Sequence, residues 1–176
     1  INDRLENIAA NMNRFKPGFI LVVPAIAEAF YKKVMDGIAS RANQRKIAFA
    51  KRINRICSIF GIDIRRKLYK SLLDKFGGNL TSIVVGGAAL RQDVAEAFTE
   101  FGVNMFQGYG LTECAPLVAS NYPRGNRLGS VGKPISCMTA KIEDGEILVK
   151  GDCVMLGYYK NPEATAEVIT EDGWFR

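Results

Sequence analysis

Apolar residues are arranged along the chain in two ways, as short strand-like runs and at helical spacing. Runs rich in β-branched residues at 19–23 and 80–85 predict strands buried on both faces of a parallel sheet. Apolar positions three or four residues apart predict helices over 25–38, 43–60 and 93–101. Further helices are expected at 3–13 and 64–76, and a further strand at 103–106. This alternation predicts an α/β fold in which helices flank a parallel sheet.

The segment from residue 80 to residue 109 has the pattern of a strand–helix–strand unit. Such units form right-handed parallel crossovers. This arrangement would place Gly86 and Gly87 along the same sheet edge as Gly108 and Tyr109. Open α/β sheets bind ligands at the carboxyl ends of their strands. We therefore predict one ligand site to which both glycine-containing turns contribute.

Beyond residue 125 the pattern changes to short β-like runs separated by turn signals. Runs at 139–142 and 146–150 flank an Asp144-Gly145 turn, and Pro162 suits the first turn of a short helix. We expect an α/β subdomain over residues 1–125 and a smaller β-rich, barrel-like subdomain over residues 126–176.

The composition, with 48% apolar and 24% charged residues, is typical of an ordinary globular protein. The net charge of +6 is unevenly distributed, because residues 41–75 are strongly basic. The basic residues of this segment are Arg41, Arg45, Lys46, Lys51, Arg52, Arg55, Arg65, Arg66, Lys67, Lys70 and Lys75. Such a density raises the question of an anionic partner.

In the predicted 43–60 helix the basic residues fall largely on other faces than the apolar ones. The apolar stripe consists of Phe49, Ile53, Ile56 and Phe60. We therefore interpret the basic residues as a solvated helical exterior. Peripheral contact with an anionic membrane surface is the first alternative. Nucleic acid ranks third, because no recognition motif or interleaved aromatic platform is present.

Cysteine and histidine usage limits the possible chemistry. The chain has no histidine, so these residues supply neither a Ser-His-Asp arrangement nor a histidine metal site. The four cysteines, Cys57, Cys114, Cys137 and Cys153, lack a C-x-x-C pair. Zinc ligation and a disulfide framework are therefore not expected, and small buried thiols in a cytoplasmic protein are the preferred interpretation.

The segment Met105–Pro116 concentrates glycine, aromatic, hydroxyl and carboxylate groups in a few residues. Its glycines allow the backbone to approach a ligand closely. Tyr109 offers a flat face for a planar heterocycle, Thr112 a hydroxyl for an oxyanion and Glu113 a hard oxygen ligand for Mg²⁺. Together these groups suit a bound nucleotide. The alternative from chemistry alone is a glycine-rich turn whose Tyr109 and Leu111 cap a core.

Three motifs, in this order, resemble the adenylate-forming superfamily of acyl-CoA synthetases, peptide-synthetase adenylation domains and luciferases. The first is Gln-Gly-Tyr-Gly-Leu-Thr-Glu at 107–113, the second is Gly129–Pro134, and the third is the long block from 145 to 176. The resemblance extends over nearly the whole chain. The Val-Pro step at 23–24 and the long basic helical segment resemble the long-chain fatty-acid–CoA ligase branch.

The resemblance implies a two-step reaction that uses ATP, Mg²⁺ and CoA. Carboxylate and MgATP give acyl-AMP and pyrophosphate, and the CoA thiol then displaces AMP. The implied partners are a fatty acid and CoA, with no nucleic acid.

By the same resemblance, Thr112 and Glu113 would be the catalytic residues. Thr112 would hydrogen-bond the phosphate and Glu113 would help hold Mg²⁺, while Tyr109 would stack on adenine. The residues that would line the adenine and acyl region are Gly86, Gly87, Ala88, Gln107, Gly108 and Gly110. The alternatives are an ordinary strand-to-helix turn for Gly86 and Gly87, and a helix-start carboxylate without metal for Glu113. The aromatic residues of 157–159 and 173–175 are interpreted as subdomain core.

The resemblance places the family's phosphate loop before Ile1, and its ribose-binding aspartate and C-terminal lysine domain after Arg176. Because Ile1 is not an initiator methionine and the third motif stops at Arg176, we expect a fragment of a longer protein that is inactive by itself. Gln107 also fits an aryl-acid–CoA ligase, which is the nearest alternative. A non-catalytic relative that binds acyl chains or nucleotides is the alternative from a different class.

Overall fold

A computed structural model describes residues 5–38 and 41–176, with side chains described except at residues 5, 37, 38, 41–46 and 50. The expected helix start at Asp3 and the expected solvent exposure of Arg41, Arg45 and Lys46 lie outside this description. The chain divides into two compact units, one made of Ile1–Val85 with Leu90–Met105 and the other of Gly86–Ala89 with Phe106–Arg176. The expected subdomain boundary at residue 125 stays a prediction.

The first unit is built from helices around a parallel strand pair. Its helices are α1 (Ile8–Phe15), α2 (Pro24–Ile38), α3 (Arg41–Ile59), α4 (Arg65–Leu68), α5 (Lys70–Leu73) and α6 (Gln92–Glu100). Strand β1 (Phe19–Val22) pairs in parallel with β2 (Ser82–Val85), with Phe19 opposite Ser82 and Val22 opposite Val85. Strand β3 (Asn104–Tyr109) begins in this unit and continues into the second. Apart from the helix expected over 64–76, the predicted strands and helices are therefore present in the described residues, with ends shifted by a few residues.

A cluster of aromatic rings forms the centre of the first unit. Phe76 packs against Phe30 and Phe98, with ring centroids 5.3 and 6.2 Å apart. Phe101 contacts Phe98 at 6.2 Å and the edge of Tyr69 at 5.1 Å. These are tilted and edge-to-face arrangements, which aromatic quadrupoles favour. The cluster joins the short helices after α3 to helices α2 and α6.

The continuous helix expected over 64–76 is interrupted at Tyr69. The segment is instead α4, α5 and a 3₁₀ turn at Asp74–Phe76, and Tyr69 has φ −99° and ψ 17°. The side chain of Tyr69 is buried and its hydroxyl donates to Glu100 Oε1 at 3.1 Å. Burial and the neighbouring carboxylate raise the pKa of this phenol well above its usual range. The break between α4 and α5 thus coincides with the residue whose side chain is buried and bonded to Glu100.

Two expectations about burial in the first unit are wrong. Phe19 and Leu21 on β1 are 59% and 71% exposed, so this strand is not buried on both faces. On α3 and just after it, Phe49, Ile56 and Phe60 are exposed rather than packed inward. Spacing shows which apolar side chains share a face, but it does not show whether another element covers that face.

Arg65 and Arg66 depart from the expected solvated exterior. Both are half-buried, whereas Lys51, Arg52, Arg55, Lys67, Lys70 and Lys75 are exposed as expected. Arg66 donates from Nη1 to Leu80 O at 2.6 Å and from Nη2 to Gly78 O at 3.2 Å. Arg65 donates to Thr99 O at 2.7 Å. These guanidinium groups are donors to main-chain carbonyls in the segment before β2 and in the last turn of α6.

The second unit contains short antiparallel strands, one hairpin and one helix. Its elements after β3 are β4 (Ala119–Ser120), β5 (Lys133–Pro134), β6 (Met138–Glu143), β7 (Glu146–Gly151) and α7 (Pro162–Val168). Strand β4 pairs antiparallel with β3 and with β5, and β6 pairs with β7. Asp144 and Gly145 both have positive φ, which suits the tight turn of the β6–β7 hairpin.

The core of the second unit joins the Thr112–Ser120 segment to the hairpin. Its buried members are Cys114, Val118, Ala119, Met138, Val149 and Phe175. Phe175 is also bonded to Val149, with N–H···O distances of 2.8 and 2.9 Å. The predicted α/β fold class, with a smaller β-rich part, is confirmed. Within the described part of the chain, no helix is long and apolar enough to span a bilayer.

Candidate functional site

The predicted site segment, residues 107–113, begins in the last part of strand β3 and ends in a 3₁₀ turn at Thr112–Cys114. The carbonyl of Gln107 accepts from Asn121 N at 3.0 Å, and that of Tyr109 accepts from Val118 N at 2.9 Å. Gln107 is buried, and Tyr109 is half-buried. These main-chain bonds fix the end of β3 and therefore the start of the turn that carries Thr112.

Two glycines of this segment are closely packed within the second unit, and close packing requires glycine at position 110. A Cβ on Gly108 would lie 3.1 Å from Leu117 Cδ1. A Cβ on Gly110 would collide with the carbonyl of Pro116. Pro116 and Leu117 therefore pack directly against the glycine positions, which gives these glycines a structural role.

The turn Gly86–Ala89 belongs to the same unit and lies beside β3. A Cβ on Gly86 would be 3.9 Å from the carbonyl oxygen of Gly108. Gly87 has φ 88°, which favours glycine, and Gly87 and Ala88 are exposed. The structure thus brings Gly86 next to Gly108, and Gly87 and Ala88 are open to a ligand.

Glu113 is held at both its main chain and its side chain. Its carbonyl accepts from Met155 N at 2.7 Å, and its Oε1 accepts from the Tyr158 hydroxyl at 3.1 Å. This hydrogen bond to the carboxylate raises the pKa of Tyr158, because it stabilises the protonated phenol. Thr112, its neighbour, is exposed. Glu113 therefore has a fixed position with one carboxylate oxygen engaged.

The residues around Glu113 suit a magnesium ion that is shared with a phosphate. Mg²⁺ commonly uses one or two carboxylates together with substrate phosphates and water. No lysine or arginine in the described residues forms an ion pair with Glu113. The described part of the chain also has no cluster of three metal-ligating side chains. A single carboxylate without an ion pair among the described residues, one residue after the exposed Thr112, thus fits a metal that is shared with a phosphate rather than a metal held by protein groups alone.

Tyr158 is the site residue that the sequence interpretation missed. The expectation that the aromatics of 157–159 form subdomain core is wrong, because Tyr158 and Tyr159 are 37% and 88% exposed. The same expectation is confirmed for Phe175, which is buried. Tyr158 lies 45 residues from Glu113, so no local spacing connects the two.

The cysteines also differ from the expected small buried thiols. Cys114 is buried, but Cys57 and Cys153 are half-buried and Cys137 is exposed. Their burial therefore does not follow from their residue type.

Comparison with known proteins gives one family and consistent relatives. A family model described as AMP-binding enzyme matches residues 2–159. The chain is 31% identical to the long-chain-fatty-acid–CoA ligase FadD15 of Mycobacterium bovis, over 98% of this chain and 31% of that protein. It is 30% identical to long-chain-fatty-acid–CoA ligase 5 of Rattus norvegicus, over 93% of this chain and 27% of that protein. The chain thus spans less than a third of the length of these relatives.

Solved structures show the same fold at lower identity. Apo MatB from Rhodopseudomonas palustris has a TM-score of 0.64 and 21% identity, over 97% of this chain and 29% of that chain. The o-succinylbenzoate CoA synthetase from Bacillus subtilis, in complex with ATP and magnesium ion, has a TM-score of 0.62 and 20% identity. This match covers 98% of this chain and 30% of the synthetase.

Proposed function

Because the chain belongs to the AMP-binding enzyme family, we propose that it is the central part of an ATP-dependent long-chain fatty-acid–CoA ligase. The observation that carries the proposal is the Thr112–Cys114 turn, in which the Glu113 carboxylate is held by Tyr158 and the preceding Thr112 is exposed. The similarity to long-chain-fatty-acid–CoA ligases over nearly the whole chain supports a long-chain fatty acid as the acid substrate.

We assign nucleotide binding to two segments of the second unit, the turn at Gly86–Ala89 and the segment 107–113. The ring of Tyr109 stacks on adenine. Gly86, Gly87, Ala88, Gln107, Gly108 and Gly110 border the adenine and acyl region. Of these, Gly87, Ala88 and Gly110 are exposed, whereas Gln107 is buried and shapes the site through its backbone.

Thr112 and Glu113 act on the phosphates. The Thr112 hydroxyl donates to a phosphate oxygen, and the Glu113 carboxylate helps to hold Mg²⁺, which neutralises charge on the phosphates when bound. A carboxylate of the fatty acid attacks the α-phosphorus, forming the acyl–phosphate bond while the bond to pyrophosphate breaks. The CoA sulfur then attacks the acyl carbon, and AMP leaves with the electron pair of the broken bond. Fixed groups aimed at the phosphates lower the barrier by positioning and charge stabilisation.

The chain by itself is proposed to be inactive. The family resemblance assigns the phosphate loop, the ribose-binding aspartate and the catalytic lysine to positions outside residues 1–176. We propose a cytoplasmic protein, with peripheral membrane contact through the basic helices of residues 41–75. Detectable acyl-AMP formation by residues 1–176 alone would contradict the proposed inactivity.

An aryl-acid–CoA ligase is the second candidate. Solved structures with this fold include an anthranilate CoA ligase, in complex with anthranoyl-AMP, at 20% identity and a TM-score of 0.64. A sequence identity of 20% is evidence for the fold alone. The long-chain-fatty-acid–CoA ligases, at about 30% identity, therefore place the fatty-acid ligase ahead of the aryl-acid ligase. A non-catalytic acyl- or nucleotide-binding relative is the third candidate.

The test is pyrophosphate release by the full-length protein with MgATP and carboxylic acids from acetate to palmitate, with aromatic acids alongside. We expect release to peak with long chains and to fall by at least about 100-fold in Glu113→Ala, which removes the proposed ligand of the Mg²⁺ that neutralises the phosphates. Glu143→Ala, at an exposed carboxylate of β6, is the control and should retain activity. Release with aromatic acids alone would transfer the assignment to aryl-acid ligases. ATP binding without release would favour the non-catalytic relative.

A further inference from the structure

Two cysteines meet at the open end of the β6–β7 hairpin. Sγ of Cys137 and Sγ of Cys153 are 3.3 Å apart, although 16 residues separate them in sequence. A disulfide bond is about 2.0 Å long, so the two sulfurs need to approach by only about 1.3 Å. Neither residue belongs to the nucleotide site proposed above.

The hairpin itself holds the two cysteines together. Met138 pairs with Gly151, so Cys137 precedes β6 at the point where the chain leaves β7. A Cβ on Gly151 would collide with the carbonyl of Cys137, which shows how closely the two chain segments approach. The turn after β7 is closed by a bond of 3.1 Å from Val154 N to Gly151 O. The sulfur contact is therefore a consequence of strand register rather than of two mobile loops.

The two thiols differ in accessibility. Cys137 is exposed and Cys153 is half-buried, whereas Cys114 is fully buried in the core of the same unit. The hydrogen bond with Cys137 raises the pKa of the Cys153 thiol. An oxidant in solution therefore meets Cys137 first, with Cys153 in place as the second thiol.

We propose that Cys137 and Cys153 are a reversible redox site that closes to an intrachain disulfide. With hydrogen peroxide as oxidant, the Cys137 thiolate attacks one peroxide oxygen, which gives a sulfenic acid and hydroxide. The Cys153 sulfur then attacks the sulfenic sulfur, the S–S bond forms, and water leaves. In total, two thiols and one peroxide give one disulfide and two water molecules. Two molecules of a low-molecular-weight thiol reverse the step and leave as their own disulfide.

The disulfide tethers a segment that contacts Glu113. Two residues after Cys153, the Met155 N–H donates to the Glu113 carbonyl at 2.7 Å, and Tyr158 follows with its bond to the carboxylate. A covalent bond at Cys153 restricts the opening motions of this segment. Oxidation should therefore slow hydrogen exchange at the Met155 amide.

The experiment treats the full-length protein with hydrogen peroxide, blocks the remaining thiols and maps the peptides by mass spectrometry. We expect a linked peptide pair containing Cys137 and Cys153, lighter by two hydrogens and separated again by dithiothreitol. In Cys153→Ser, the link is lost and Cys137 is trapped as a sulfenic acid by dimedone. Cys57→Ser, at a half-buried cysteine of the first unit, keeps the link.

Hydrogen exchange provides a second measurement on the same samples. Peptides that cover residues 153–158 should exchange more slowly in the oxidised protein than in the reduced protein, and Cys153→Ser should abolish this difference. Oxidation of Cys137 to sulfinic acid without a link, or pairing of Cys137 with another cysteine, overturns the proposal. Because no readout depends on ATP or acid, the result is independent of the proposed ligase activity.

Discussion

The hydroxyl of Tyr158 donates a hydrogen bond to Oε1 of Glu113 at 3.1 Å, across 45 residues of sequence. Glu113 ends the Gln107–Glu113 motif, and Tyr158 lies in the loop between β7 and α7. The Met155 N–H adds a bond of 2.7 Å to the Glu113 carbonyl from the same loop. The proposed magnesium ligand is therefore oriented by a segment that belongs to a separate sequence motif.

Tyr158→Phe removes only this hydroxyl and should weaken magnesium use. Because the carboxylate loses the hydrogen bond that orients it, we expect the Mg²⁺ concentration for half-maximal pyrophosphate release to rise about fivefold. The rate at saturating Mg²⁺ should fall less. Binding of Mn²⁺ in the presence of ATP, followed by electron paramagnetic resonance, should weaken in parallel. The matched control is Tyr159→Phe, since Tyr159 is 88% exposed.

The pH dependence of this effect follows from the direction of the shift. The bond to Glu113 raises the pKa of Tyr158, so the protonated phenol is the stabilised form. The hydrogen bond from Tyr158 to Glu113 is fully present below the ordinary tyrosine pKa of about 10. It is lost only as the pH rises through the raised pKa of Tyr158 in the folded protein. The difference between wild type and Tyr158→Phe should therefore be constant from about pH 7 to pH 9. A difference confined to the maximal rate would show that Tyr158 does not act through the metal.

The sequence pattern predicts the elements that rest on local periodicity. The strands around residues 19–22 and 82–85, and the helix around 92–100, differ from their expected bounds by a few residues. The turn at Asp144 and Gly145 was also predictable, because positive φ at both positions favours these residue types. Local chemistry decides these features, so the sequence contains them directly.

Contacts between distant residues were not predictable in this way. Tyr158 meets Glu113 because the loop after β7 lies against the Thr112–Cys114 turn, and no local spacing connects the two residues. The contact between Cys137 and Cys153 lies just beyond the paired strands and depends on the turn after β7. Arg66 resembled the other basic residues in sequence, but its guanidinium group bonds the carbonyls of both Gly78 and Leu80. Each of these side chains has a role set by a tertiary partner.

Tyr109→Ala tests the proposed adenine stacking. Removing the ring removes a stacking surface, so we expect the KM for ATP to rise about tenfold, with a smaller change in kcat. Tyr109→Phe keeps the ring and should stay within about twofold of wild type. The ring of Tyr109 also packs against the core cluster, so thermal unfolding of both variants is measured in parallel. A lowered Tm with an unchanged KM would assign Tyr109 to the core alone.

Arg66→Ala should destabilise the protein through its main-chain partners. The substitution leaves the carbonyls of Leu80 and Gly78 without their guanidinium donors, and it removes the Arg66 stem from its contact with Gly102. An unsatisfied buried carbonyl costs about 1–3 kcal/mol, so we expect a loss of about that size in the free energy of unfolding. Chemical denaturation measures it. Lys67→Ala, at an exposed neighbour, should change stability by less than about 0.5 kcal/mol.

Helix α3 and the residues after it combine exposed apolar and exposed basic side chains. The exposed apolar residues are Phe49, Ile56, Ile59, Phe60 and Ile62. Lys51, Arg52 and Arg55 on the same helix are also exposed. A helix with this combination suits the interface of an anionic bilayer, where the apolar side chains enter the headgroup region and the basic ones meet lipid phosphates. The exposed apolar residues therefore favour membrane contact over a solvated exterior.

Vesicle sedimentation of the full-length protein separates the two interpretations. We expect binding to vesicles with phosphatidylserine and little binding to pure phosphatidylcholine. Arg52→Glu should lower the partition coefficient at least about fivefold, because it removes one basic charge and adds an acidic one near the lipid surface. Lys133→Glu makes the same change at an exposed residue of β5 and should have little effect. Equal losses in both variants would indicate a net-charge effect, and no binding to either vesicle would leave the basic residues as a solvated exterior.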